Sequence, residues 1–562
     1  MKNDMKKKKN SKPIYYLPIG GAGEIGMNMY LYGYGKEPDT KWIMIDCGIG
    51  FADDHYPGID IILPDISFIK KRKKNLLGII LTHAHEDHFG AVASLWKELN
   101  VPIYATAFTA ELLKEKLNES GDEQKIPINL IKQNSKFNLD DFSIELINVT
   151  HSIPEPNALL ITIDGFNIVH SGDWKIDDDP LLGKKTDLDK LKRISKAGCD
   201  VLVCDSTNIF RDGVSVTERE VALNLNKVIK QIKSRVVVTT FSSNIARIKS
   251  IIAAARNSNR DIILSGRAIH RFIKIAKKTG YIDPTEHFYD HVDFKKIKAN
   301  KALIILTGSQ GESRAALTRV ANKTHPHLKL SENDVVLFSS KTIPGNDKSV
   351  SHIKNNLLEQ KITVIDDDNH LIHTSGHPRR NEVKVIYDAL KPNTLIPMHG
   401  ELRHLNEHIN FAKKCGIPNP FLVTNGNLVE FLPKSVKLIE KMKNSFILRD
   451  GNIHLNKDDV SVKERRRLSE NGVIVTSLVI DKNGILYSDP IIEIIGVPEY
   501  SDDGVCIYNV IEDLIDDCID GLPKARKLDL NNLNEYVRKS IRSKIYTIWG
   551  KKPECKVAST MV

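Results

Sequence analysis

The stretch LTHAHEDHFGAV, Leu81 to Val92, constrains this chain more than any other. It follows NLLGII, which reads as a buried strand, and leads into AVASLWKELN, whose apolar residues recur three and four apart as on a helix. At the strand's C-terminal end His83, His85, Asp87 and His88 fall within six residues, in H-x-H-x-D-H spacing. A lone histidine is usually structural, but four ligand-type side chains on one tight turn are hard to explain as core. Neutral imidazoles and a carboxylate suit zinc or manganese. On a turn, positions i and i+2 can point one way and i+4 and i+5 another, which suits two metals side by side. Two adjacent metals take about seven or eight protein ligands, so others must come from later strand ends. His151 in VTHSIPEPN, Asp173 in HSGDWK and His399 in PMHGELRH stand there. A carboxylate such as Asp173 can bridge two cations, which one imidazole nitrogen cannot. His170, three residues before Asp173, reads as structural.

A chain of 562 residues is too long for one hydrophobic core, so several domains are expected. No apolar run approaches the length of a membrane span. The N-terminus, MKNDMKKKKNSK, is basic without an apolar region behind it, so it reads as a solvated, disordered tail and not a secretory signal. None of the seven cysteines forms a CxxC pair, which fits a reducing cytoplasm and argues against a cysteine zinc site. The net charge of +10 points mildly to a polyanionic partner. The clusters KKRKK (Lys70 to Lys74) and KERRR (Lys463 to Arg467) read as solvated faces. Gly21, Gly23 and Gly26, with Asp46 twenty residues on, mimic a dinucleotide fingerprint. That fingerprint needs a helix after the glycines. Here NMYLYGYG and KWIMIDCG read as strands, so the glycines form a loop between strands and no nicotinamide cofactor is expected.

KFNLDDFSIELINVTHS and ALLITIDGFNIVHSGDW read as strand pairs ending in ligand-type residues, and CDVLVCDSTN as a strand ending in an acid. From about 210 to 372, strands such as SRVVVTTFSSN, RDIILSGR, KALIILTGSQ and DVVLFSSK alternate with helical stretches such as TEREVALNLNKVIKQIK. That alternation is the signature of an α/β domain with a parallel sheet. NTLIPMHGELRH then looks like a return to the first domain, and GVIVTSLVIDKNG suggests a small C-terminal α+β domain.

THAHEDH, His151, SGDWK and His399 resemble the metallo-β-lactamase fold, an αββα sandwich with a dinuclear site. The resemblance implies that His83, His85 and His151 hold one metal, that Asp87, His88 and His399 hold the other, and that Asp173 bridges. The long segment between CDSTN and HTSGHPRR is similar to the β-CASP nucleases, in which an inserted domain caps the metal site. Their additional motifs match Asp205, His377 and His399, and a histidine at the last position goes with members that process RNA. GGAGEIGMN, THSIPEPNAL, FSSNIARI, LTGSQGE, IPGN, TSGHPRR and MHGE, in order, together resemble the ribonuclease J family. The domains expected are 1–209 and 373–440 for the lactamase fold, 210–372 for the β-CASP insertion, 441–455 as linker and 456–562 as the C-terminal domain. In that last region NIHLNKDDVSVKERRRLSENG departs from the glycine-rich stretch the resemblance would lead one to expect.

Two metals can activate water and clamp a scissile phosphate. His377 could protonate the leaving ribose oxygen, with Asp205 orienting or charging it. The stretch His373, Thr374, Ser375, Gly376 and His377 offers imidazole, hydroxyl and backbone N–H donors for phosphate. By resemblance it holds the RNA backbone and helps form a 5′-monophosphate pocket. The reading is a cytoplasmic, metal-dependent ribonuclease of the hydrolase class. It is expected to cut single-stranded RNA both 5′→3′ from a monophosphate end and internally, in RNA maturation and mRNA decay. The alternative is a small-molecule metallohydrolase of thioesterase type, which needs the metal ligands but no inserted cap. The resemblance further implies a structural calcium at the Gly58 carbonyl and Asp60, and a homodimer or homotetramer joined through the C-terminal domain.

Overall fold

The structure is a computed structural model that describes residues 12–120 and 126–562; the basic tail read above lies outside the described residues up to Lys12. The chain divides into two compact units, Met1–Gly50 with Leu63–Ser445, and Phe51–Ile62 with Phe446–Val562.

In the first unit an eight-stranded sheet runs in the order Ser435–Lys441, Asn427–Leu432, Ile14–Gly20, Met29–Tyr34, Lys41–Ile45, Leu76–Ile80, Ile103–Ala105 and Ile128–Leu130. A seven-stranded sheet runs Lys136–Leu139, Phe142–Asn148, Asn157–Ile163, Phe166–His170, Val201–Asp205, Thr394–Met398 and Asn419–Pro420. Successive strand residues point to opposite faces. Tyr16, Tyr32, Ile43 and Ile45 of the first sheet therefore meet Ile144, Leu159, Ile161, Val203 and Ile396 of the second in one buried core. The second sheet's other face, with Ile147, Leu202 and Leu395, packs on Leu191 and Ile194 of the helix Leu188–Ala197 and on Ile386 and Leu390 of the helix Arg380–Leu390. Those pairs sit three and four residues apart, on one helix face. Burying each such side chain contributes about 1.5–3 kcal/mol. This is the expected sandwich.

Three parallel pairings place the site. Leu76–Ile80 lies beside Lys41–Ile45, Phe166–His170 beside Val201–Asp205, and Thr394–Met398 beside Val201–Asp205 with Asp205 opposite Met398. All of these strands end on the same side, so the histidine turn, Asp173, Asp205 and His399 emerge together although the sequence spreads them over more than 300 residues.

Between Asp205 and the return strand the chain builds a second, six-stranded parallel sheet. Its order is Tyr289–Asp290, Asp261–Ser265, Ala302–Leu306, Val236–Thr239, Val335–Phe338 and Thr363–Ile365. The inner strands are unbroken apolar runs because helices cover both faces. The first of those helices, Glu218–Gln231, opens with a capping box in which Thr217 and Glu220 satisfy each other's backbone N–H groups.

In the second unit the strands Ile491–Ile495, Val473–Ile480 and Glu554–Met561 form a sheet. Ile474, Leu478 and Ile480 pack on Ile511 and Ile515 of the helix Ile507–Gly521 and on Ile541 and Ile545 of the helix Leu530–Trp549. Val475, Ile491 and Ile495 stay exposed. The stretch expected as a linker, 441–455, carries most of a hairpin, Phe446–Asp450 with Ile453–Asn456. Gly451-Asn452 supplies the two-residue turn, Gly451 having φ 58 at its first position, and Leu448 gives the strand a buried side. Among the described residues no helix is long and apolar enough to cross a membrane.

Candidate metal centre

The turn after Leu76–Ile80 is fastened before any ligand acts. Cys47 N donates to His88 O at 2.7 Å, Ile49 N to Glu86 O at 3.0 Å and Asn28 N to Asp87 O at 2.8 Å. Gly48 runs so close that a Cβ there would lie 1.7 Å from Asp87 O. His85 then caps the short helix Glu86–Phe89. That geometry sends His83 and His85 to one side and Asp87 and His88 to the other.

Three clusters of ligand atoms result, Asp173 being common to all, and two of them use the histidine turn. The first is His83, His85, His151 and Asp173; the second is Asp87, His88, His399 and Asp173; within each the atoms lie within 4.8 Å of one another. In the first, His85 Nδ1 lies 3.1 Å from His83 Nε2 and 3.0 Å from His151 Nε2. The opposite nitrogen of each ring is held. His83 Nδ1 lies 3.0 Å from Thr82 Oγ1, His85 Nε2 lies 3.1 Å from Ser243 Oγ, and His151 Nδ1 donates to Gly376 O at 2.7 Å. Burial, reinforced by neighbouring histidines, pushes His83 and His151 well below the usual imidazole range. Burial takes His85 to about 4. Three neutral rings thus turn nitrogens to one point, as a divalent metal requires.

The second cluster is electrostatically different. His88 Nδ1 donates to Asp46 Oδ2 at 2.7 Å, and its Nε2 lies 3.2 Å from Asp173 Oδ2. His399 Nδ1 donates to Asp173 Oδ1 at 2.7 Å, and its Nε2 lies 3.3 Å from Asp87 Oδ2. Burial alone would lower both rings, but Asp173, Asp87 and Asp46 outweigh it for His88, and His399 rises to about 10. Asp173 itself lies well below the carboxylate range: burial opposes this, but His399, His88 and His377 outweigh it. Buried carboxylates here call for positive charge, which metal ions supply as well as protons do. His399 Nε2 is buried with only Asp87 Oδ2 near it, at 3.3 Å and without hydrogen-bond geometry, so this nitrogen is available to a cation. The donor set fits two divalent cations.

A third group adjoins them. His377 Nδ1 donates to Asp205 Oδ2 at 2.7 Å, and its Nε2 lies 3.9 Å from Asp173 Oδ2. Burial lowers His377, but Asp205 and Asp173 outweigh it and raise the ring, so it keeps a proton to higher pH. Within HTSGH the side chains differ in what they have to spare. Ser375 Oγ accepts from Asn208 Nδ2 at 2.8 Å and from His377 N at 3.2 Å, leaving its own proton to donate. The Thr374 hydroxyl is already spent on Val216 O at 2.8 Å. Gly376 has no room for a side chain, since a Cβ would lie 2.6 Å from His151 Cε1. His373 sits 3.4 Å from an Arg247 nitrogen and is held neutral by burial, with Arg247, Lys341 and Lys175 adding to it.

Several contributors escaped the sequence reading. Asp46 was noticed only as part of a false fingerprint; it orients His88 and accepts from Thr82 N and Oγ1, both at 2.8 Å. Ser243 lies in the quoted FSSN, yet its contact with His85 spans 158 positions. Arg247 is fully buried, held by Glu218 at 2.9 and 3.1 Å and by Ser339 Oγ at 2.7 Å. His170, read as structural, meets Tyr32 OH at 3.0 Å and stands in neither metal cluster. Asp60 belongs to no such cluster among the described residues, and a Cβ built at Gly58 would lie 3.6 Å from an Arg465 guanidinium nitrogen.

The sandwich, the inserted sheet and the paired clusters around one carboxylate define a metallo-β-lactamase-fold hydrolase with a β-CASP insertion. Family models match accordingly: the β-lactamase superfamily domain over residues 41–232, the ribonuclease J β-CASP domain over 233–357, the Zn-dependent metallo-hydrolase RNA specificity domain over 366–419 and the ribonuclease J C-terminal domain over 460–560. Ribonuclease J of Sinorhizobium meliloti is 42% identical over 549 residues, 98% of this chain and 97% of its own. Ribonuclease J of Helicobacter pylori is 36% identical over 84% of this chain and 69% of its own, and ribonuclease J2 of Bacillus subtilis 33% identical over 85% of each. A crystal structure of a protein of unknown function from Enterococcus faecalis V583 shares the fold, with a TM-score of 0.52 and 16% identity over 74% of this chain and 100% of that one. The chain belongs to the ribonuclease J family.

Proposed function

We propose that this chain hydrolyses RNA phosphodiester bonds at a dinuclear centre, removing nucleotides 5′→3′ from a monophosphate end and also cutting internally, in RNA maturation and mRNA decay. His83, His85 and His151 would hold one metal and Asp87, His88 and His399 the other, with Asp173 shared. Their nitrogen and oxygen donors suit zinc and also accept manganese. When bound, the pair supplies an activated water and neutralises charge on the scissile phosphate. The protein's own groups do the rest. His377, charged by Asp205, delivers a proton from Nε2 to the leaving ribose oxygen. Ser375 donates its hydroxyl proton to a phosphate oxygen, and His373, beside buried Arg247, faces the same anion. A thioesterase has no use for this second, phosphate-seeking half.

The observation that carries the reading is the His377–Asp205 pair set 3.9 Å from the shared carboxylate. The test is product analysis on end-labelled RNA with a monophosphate or triphosphate 5′ end, with and without chelator, beside a thioester control. Chelator-sensitive mononucleotide release, much faster from the monophosphate, is expected; thioester turnover without RNA cleavage would overturn the proposal. The exposed Val475, Ile491 and Ile495 support assembly into dimers or tetramers through the C-terminal domain. The cysteines are all free, which agrees with a reducing cytoplasm. A structural calcium at the Gly58 carbonyl and Asp60 has less support, since among the described residues Asp60 joins no cluster of metal-binding side chains.

A further inference from the structure

The glycine loop that mimics a dinucleotide fingerprint serves the second cluster. Gly21 O accepts from His399 N at 2.5 Å, and Ala22 pairs with Gly400. Gly26, at φ 94, runs beside Asp87, where a Cβ would lie 3.5 Å from Asp87 Cβ. Asn28 Nδ2 lies 3.4 Å from Asp87 Oδ2 and 3.0 Å from His88 Nε2, and Tyr30 OH donates to Asn28 Oδ1 at 2.7 Å. Among the described residues, none of the loop's hydrogen bonds reaches His83, His85 or His151.

His399 needs such support. Its φ is 50, a left-handed conformation that a histidine holds only where the surroundings impose it. The fastening comes from Asn425, which is buried. Its Oδ1 accepts from Ala22 N and its own N donates to Ala22 O, both at 2.8 Å. Its Nδ2 donates to Glu24 Oε1 at 2.6 Å, and Glu24 Oε1 also accepts from Gly21 N at 3.4 Å. Asn425 therefore grips the loop directly at Ala22, just after the carbonyl that receives His399, and only through Glu24 at Gly21 N, just before it.

We propose that Asn425, through Ala22, Glu24 and Gly21, is a positioning residue for the second metal alone. Its loss loosens His399, which bears on the shared Asp173 at 2.7 Å, and leaves His83, His85 and His151 of the first cluster in place. The inference rests on the dinuclear reading.

The test is zinc titration of the metal-stripped full-length chain against a competing chromophoric chelator. Wild type should show two tight sites. Asn425→Ala should keep one and weaken the other by about 10- to 100-fold. Asn425→Asp sets carboxylate against carboxylate and should stay weak, whereas Asn425→Asp with Glu24→Gln reverses donor and acceptor across the same bond and should recover the second site. If Asn425→Ala does not fold, Glu24→Ala, at a half-buried position, decides by the same split. Two unchanged sites, or both weakened together, would overturn the role of Asn425. Fewer than two sites in wild type would overturn the dinuclear reading itself.

Discussion

The two clusters around Asp173 are built by different parts of the molecule. The first is finished from outside the lactamase sheets: Ser243 of the inserted domain holds His85, and Gly376, where the chain re-enters, holds His151. The second is finished within the sandwich, by Asp46 on His88 and by the glycine loop on His399. The electrostatics follow this division, with neutral rings on one side and rings charged by buried carboxylates on the other. The difference teaches that the inserted domain's contact, Ser243 on His85, falls on one of these two histidine clusters and not on the other.

The shared carboxylate should erase the comparison altogether. Asp173→Asn removes the charge common to both clusters, and we expect both metals to weaken and RNA hydrolysis to fall by about 10³-fold or more. Metal analysis beside a cleavage assay checks this; loss of only one metal would mean that Asp173 is not shared.

The next largest effect separates the metals from the proton. His377→Ala should lower the rate by about 10²-fold while both metals stay; a missing metal would make His377 a ligand. The same pair carries a pH dependence. Asp205 and Asp173 raise His377, and an acid works only while protonated, so activity should fall as pH rises through its pKa. Asp205→Asn removes one of those charges and should move that alkaline fall to lower pH. An unmoved limb in the rate profile would show that Asp205 does not charge His377.

Much of this centre was legible because its ligands are dense or stand at strand ends. Four ligand-type residues within six leave few structural explanations, and His151, Asp173 and His399 each follow an apolar run. The partners were not legible. Ser243 and Asn425 are ordinary polar residues whose meaning comes from contacts 158 and 403 positions away. Asp46 carried a signal that pointed elsewhere, because twenty-residue spacing from glycines also fits a nucleotide motif. The hairpin at 446–456 was missed for a local reason: its strands are short and lack a clean alternation, and only the Gly451-Asn452 turn betrays them.

A smaller effect sharpens the comparison. Ser243→Ala frees the far nitrogen of His85 and should weaken the first metal by about tenfold, leaving the second unchanged. Zinc titration reads the split directly, and equal weakening of both sites would show that the inserted domain does not act selectively. The smallest effect concerns assembly. Ending the chain near residue 455 should give a monomer by light scattering with both metals bound, and an unchanged oligomer would place the interface elsewhere.

The central claim is that both clusters must be filled for RNA to be cut. The direct measurement adds zinc stepwise to the stripped chain and follows cleavage of 5′-monophosphorylated RNA at each equivalent. The account predicts little activity after the first equivalent and a steep rise with the second. Full activity after one equivalent would contradict it.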